Sequence, residues 1–80
     1  MAKAEIRNKI RRCRFDAGEM TQEELANRAG CTRQTIILME QSRYVPSLAL
    51  AFRIAGVFKA GIEDIFEYVG EEHGQGLHKR

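Results

Sequence analysis

Two helix starts, at Thr21 and Thr32, bracket a single glycine at Gly30. Little else in the chain limits its fold as tightly. Thr21 is a good N-cap, and Glu24 stands at the third helical position, so the two have capping-box spacing. Met20 and Leu25 are placed as a hydrophobic staple across that start. Thr32 repeats the N-cap role, and Cys31 and Ile36 can form a second staple. The stretch QEELANRAGCTRQTIILMEQ, Gln22 to Gln41, therefore reads as two short helices joined by a tight turn. Leu25, Ala29, Cys31, Ile36 and Met39 face inward when two such helices cross, and Ala26 is small where the second must pass close. Arg33, Gln34, Ile37 and Leu38 remain outside. A short helix displayed on another, with Arg and Gln near its N-terminus, has the geometry that enters a DNA major groove.

The rest of the chain predicts further helices and no strand. A first helix runs from about Ala4 to Asp16, with Ile6, Ile10 and Cys13 at helical spacing, extended by Phe15 and Ala17 and closed by Gly18 as a left-handed cap. Ser42 to Pro46 is a loop. Ser47 caps a fourth helix, in which Leu48, Ala51, Phe52 and Ala55 make one apolar stripe and Leu50, Ile54, Val57 and Phe58 widen it. A helix this apolar is expected at the centre. Gly61 opens a fifth, with Glu63 and Asp64 at the positive end of its dipole and Ile62, Ile65, Phe66 and Val69 as its apolar side. The expected fold is all-α with five helices. The expected domain covers residues 4–69, with the paired helices at 21–41 and a flexible Gly-rich tail over 70–80.

Eighty residues make one small domain with a modest core. A net charge of +2 says little, but its distribution says more. Lys3, Arg7, Lys9, Arg11, Arg12 and Arg14 crowd the N-terminal end, while Glu63, Asp64, Glu67, Glu71 and Glu72 crowd the other. Such a gradient would turn the basic end toward a polyanion; the alternative is two solvated helix faces. No apolar run has transmembrane length and no signal-peptide core opens the chain, so a cytoplasmic location is expected. Cys13 and Cys31 lack metal-ligand spacing and fall on inward positions, which predicts reduced core thiols. His73 and His78 read as solvated tail residues. No catalytic constellation and no cofactor or metal motif is present, so the chain is not expected to be an enzyme. Glu23, Glu24 and Glu40 read as capping, pairing and solvation.

TQEELANRAGCTRQTIILMEQ, followed by YVPSLALAFRIA and closed by IEDIF, resembles the Cro/CI-type (XRE-like) helix-turn-helix family of prokaryotic transcriptional regulators. The resemblance covers about Ile6 to Tyr68. It implies a five-helix DNA-binding domain and a regulator, most often a repressor, working as a homodimer on a two-fold-related operator. Arg33, Gln34 and Leu38 match the family's base-reading positions. Arg can donate twice to guanine and Gln can pair bidentately with adenine. Gln22 matches a residue that holds the DNA backbone; Thr32, Thr35, Arg43 and Tyr44 are placed for the same work. Leu38 suits a thymine methyl, and Ile37 is expected to be partly covered. The resemblance also pairs Arg14 with an acid early in the second helix, here Glu24; an ordinary exposed pair is the alternative. Ser42 and Lys59-Ala60 stand where the family usually has glycine, which weakens the expectation of a left-handed cap at Ser42. An apolar patch of Ile62, Ile65, Phe66, Tyr68 and Val69 is the expected dimer seam. The alternative function is a protein-interaction module, such as an antitoxin or a regulator antagonist.

Overall fold

The computed structural model describes residues 4–70. In chain order the elements are β1 (Ala4–Asn8), α1 (Ile10–Asp16), α2 (Gln22–Ala29), α3 (Arg33–Glu40), α4 (Leu48–Val57), α5 (Ile62–Ile65) and β2 (Phe66–Gly70). The tail beyond Gly70, with both histidines, lies outside the described residues.

The helix starts are built as their residues dictate. The Thr21 hydroxyl accepts from Glu24 N at 2.9 Å, that of Thr32 from Thr35 N at 3.2 Å, and that of Ser47 from Leu50 N at 3.1 Å. The capping box at Thr21 is only half formed, because the Glu24 carboxylate accepts from Arg28 Nη2 at 2.9 Å. A reciprocal bond does close α5, where Gly61 N donates to Asp64 Oδ2 at 2.9 Å. Both staples reach the core: Met20, Leu25 and Ile36 are buried, and Cys31 packs against them. Gly30 turns α2 into α3 at φ +77°, where a side chain would be strained.

Two expectations at the ends of the domain fail together. The first helix does not begin at Ala4, and the fifth does not run to Val69. β1 and β2 instead pair antiparallel, from Ala4 opposite Gly70 to Asn8 opposite Phe66. The fold is thus mainly helical, with five helices and a small sheet. Ile6 and Asn8 are half-buried between exposed Glu5 and Arg7, a period of two that coexists with the helical spacing of Ile6, Ile10 and Cys13. Phe-Glu-Tyr-Val in β2 is rich in strand-favouring side chains. Arg7 opposite Glu67 adds a favourable cross-strand pair. Lys9 N donates to Ile65 O at 2.8 Å and ties the sheet to the helices.

Ser42 does hold the left-handed conformation, at φ +59°. Ser42 N donates to Met39 O and Arg43 N to Leu38 O, both at 2.9 Å, so α3 ends in the hydrogen-bonded manner of a glycine cap. Lys59 does the same after α4, at φ +55°.

The core is Ile10, Met20, Leu25, Ala26, Ala29, Ile36, Met39, Leu50, Ile54, Ala55 and Ile65, flanked by half-buried Cys13, Cys31, Val57, Phe58, Ile62 and Phe66. α4 packs on α2 and α5, as its composition predicts. Its stripe is divided, however. Ala51 and Ala55 are buried, but Leu48 and Phe52 stay 69% and 59% exposed. Burial raises both cysteine thiols above their ordinary value, with Asp16 adding to the effect at Cys13. Both cysteines are free.

Candidate nucleic-acid interface

α3 is held from beneath and open above. Ile36 and Met39 are buried, while Arg33 and Gln34, its first two residues, are exposed. Neither of these two side chains bonds another side chain among the described residues, so their donors stay available. Leu38 and Ile37, farther along the helix, are half-buried. Arg43 and Tyr44 extend the exposed surface past the end of α3. Thr32 and Thr35 are more constrained: their hydroxyls lie 3.0 Å apart and share a hydrogen bond while Thr32 caps the helix.

The attachment of α3 to the rest of the molecule was not visible in the sequence. Asn8 Nδ2 donates to Met39 O at 2.7 Å and its Oδ1 accepts from Ile10 N at 3.1 Å, linking the β1–α1 junction to the last turn of α3. Arg53 Nε of α4 donates to Ala29 O at 2.7 Å and steadies the end of α2 beside the turn. No local pattern marks the bonds to Met39 O and Ala29 O, since those partners are distant in the chain; only the bond of Asn8 to Ile10 N is local.

Arg14 is paired, but not with Glu24. Its Nε donates to Glu40 Oε2 at 2.7 Å, its Nη2 to Glu40 Oε1 at 3.1 Å, and its Nη1 to Met20 O at 2.8 Å. Glu24 takes the partner one helical turn away, Arg28. The end of α3 reaches Arg14 because Asn8 draws Met39 to the start of α1. Glu40 is therefore not a solvated acid, as its sequence position suggested; its side chain is 9% exposed and that of Arg14 is 15% exposed.

Gln22, the first residue of α2, joins this cluster by donating from Nε2 to Glu40 Oε1 at 3.1 Å. Arg11, Gln22, Ile37 and Gln41 line an open groove of about 560 Å³ around it. Arg11 also lines an adjoining groove of about 830 Å³ with Lys9, Arg12 and Phe15. The structure thus brings two arginines of the basic N-terminal cluster to the start of α2: Arg14, which is paired with Glu40, and Arg11.

Of the expected seam residues, Ile65 is in the core, Ile62 and Phe66 are half-buried against it, Val69 is half-buried and Tyr68 is 55% exposed. Among the described residues, no helix is long and apolar enough to cross a membrane, and no cluster of His, Cys, Asp and Glu could hold a metal ion.

Capped paired helices, a left-handed glycine between them and an open polar start to the second define a helix-turn-helix domain. Comparison with known proteins agrees. The helix-turn-helix family profile matches residues 10–65. A regulator named as HTH-type transcriptional from Archaeoglobus fulgidus is 51% identical over 67 residues, which are 84% of this chain and 94% of the relative. One from Methanocaldococcus jannaschii is 55% identical over 53 residues, covering 66% of this chain and 80% of the relative. YgzD of Bacillus subtilis, also named an HTH-type transcriptional regulator, is 41% identical over 61 residues, or 76% of this chain and 91% of the relative. The chain belongs to the helix-turn-helix family of transcriptional regulators, the one its capped helix pair resembles.

Proposed function

We propose that the protein binds duplex DNA sequence-specifically as a transcriptional repressor, in the cytoplasm, as a homodimer on a two-fold-related operator. One observation carries the reading. α3 is anchored by Ile36 and Met39, while Arg33 and Gln34 stand exposed at its start. A rigid helix with free bidentate donors at its N-terminal end is what major-groove reading requires. Arg33 and Gln34 read base edges, and Leu38 covers a thymine methyl. Gln22, Thr32, Thr35, Arg43 and Tyr44 hold phosphates, joined by Arg11. The DNA-binding domain is residues 4–69, and β2 carries its sheet one residue further, to Gly70.

The dimer follows from the size of the reader. One α3 touches too few base pairs to be selective, so two copies with readers about 34 Å apart supply the specificity. The seam lies over α5 and β2, with Ile62, Phe66, Tyr68 and Val69 at its surface and Ile65 beneath them.

The test is selection of bound sequences from random duplexes, followed by a salt series. A preferred two-fold motif and a steep loss of affinity with salt are expected. Arg33→Ala should cost about 1–3 kcal/mol and relax the preference at particular base pairs, while Arg43→Ala weakens all sequences more evenly. No preference over random competitor at any salt would overturn the DNA reading and favour a protein-interaction role.

A further inference from the structure

We propose that Glu40 is a positioning residue for DNA binding, holding the Gln22 amide so that it presents a donor to a phosphate, with Arg14 cancelling the charge that would otherwise repel it. This rests on the reading of α2 and α3 as the DNA-contacting pair.

The geometry gives each member a distinct part. Gln22 donates one Nε2 hydrogen to Glu40 Oε1 at 3.1 Å. An amide nitrogen carries two hydrogens, so one remains for another acceptor. The bond also fixes which way the amide is turned. Turned over, it would offer its oxygen, and an oxygen repels a phosphate oxygen. A free glutamine must be ordered when it binds, so holding it in advance is worth about two- to tenfold in affinity.

A bare carboxylate here would oppose that gain, because it would sit beside the phosphate that Gln22 meets. Arg14 removes the difficulty by donating to both oxygens, at 2.7 and 3.1 Å. The same guanidinium holds Met20 O at 2.8 Å, in the strand of chain that leads into α2. The end of α1, the start of α2 and the end of α3 are therefore tied at one neutral, nearly buried point. The reader helix and its backbone clamp move as one body, and the register of Gln22 against the phosphates is set by the last residue of the helix that reads the bases.

The experiment is a mutant cycle in the full chain, using the duplex obtained by selection. Arg14→Met with Glu40→Leu removes the holder without stranding a charge. It should weaken binding to that duplex about two- to tenfold when Gln22 is present and less than about twofold in the Gln22→Ala background. Glu40→Gln keeps an acceptor oxygen for Gln22 and should keep most of the affinity. Equal losses in both backgrounds, or no loss from Gln22→Ala itself, overturn the proposal while leaving DNA binding intact. Absence of sequence preference in the unaltered chain overturns the DNA reading, and the proposal with it. A second readout needs no folded core variant. The Gln22 side-chain amide, assigned by its loss in Gln22→Ala, should have one proton shifted downfield of the exposed Gln34 and Gln41 amides in the NMR spectrum. An unshifted pair overturns the proposal.

Discussion

Replacing Arg14 by Met should be the most damaging single polar change in the domain. The replacement keeps an unbranched apolar stem and removes all three guanidinium bonds. Two of these go to a carboxylate that is 9% exposed, and the third goes to Met20 O. Removing one partner of a buried ion pair costs about 3–5 kcal/mol, because the other charge is left without compensation. Arg14 is 15% exposed and Gln22 still donates to Glu40, so the lower end, about 3 kcal/mol, applies. For a domain of this size that is a fall in Tm of roughly 12 to 24 °C. Adding Glu40→Leu should recover most of the loss, since an apolar pair in place of a buried ion pair is often neutral. Urea unfolding followed by circular dichroism measures both variants, at one protein concentration because dimerisation would couple to stability. A loss under about 1 kcal/mol for Arg14→Met, the range of an exposed pair, would refute the reasoning. So would a double variant no more stable than the single one.

Two further outcomes concern the backbone and the thiols. Ser42→Gly should raise stability by about 0.5–1 kcal/mol, because glycine relieves the left-handed strain at φ +59° by slightly more than it adds to unfolded-chain entropy; a destabilised variant in urea unfolding would show that the position is not strained. Cys13 and Cys31 should be alkylated by iodoacetamide more slowly than a free thiol near pH 8, since burial raises both thiols and reduces the reactive thiolate; reaction at the rate of the unfolded chain would contradict their packing.

The sequence by itself determined what local chemistry decides. Thr21, Thr32 and Ser47 cap their helices by bonds to residues three positions away, and Gly30 supplies the positive φ of the turn between α2 and α3, so these features are written in short stretches. The inward face of α2 and α3 follows from period alone, and the exposure of Arg33 and Gln34 follows from that face. Tertiary structure decided everything that needed a distant partner. Residues 4–8 carry both a helical and a strand period, and only Phe66–Gly70, at the other end of the chain, selects the strand. The resemblance paired Arg14 with Glu24, but the packed fold brings Glu40 of α3 within bonding distance instead. Leu48 and Phe52 share a helical stripe with Ala51 and Ala55, yet the stripe is wider than the surface α2 and α5 can cover, so part of it stays in solvent. Short-range bonds are specified wherever their residues stand together, while a side chain with several possible partners is settled only when the packed core brings one of them within bonding distance.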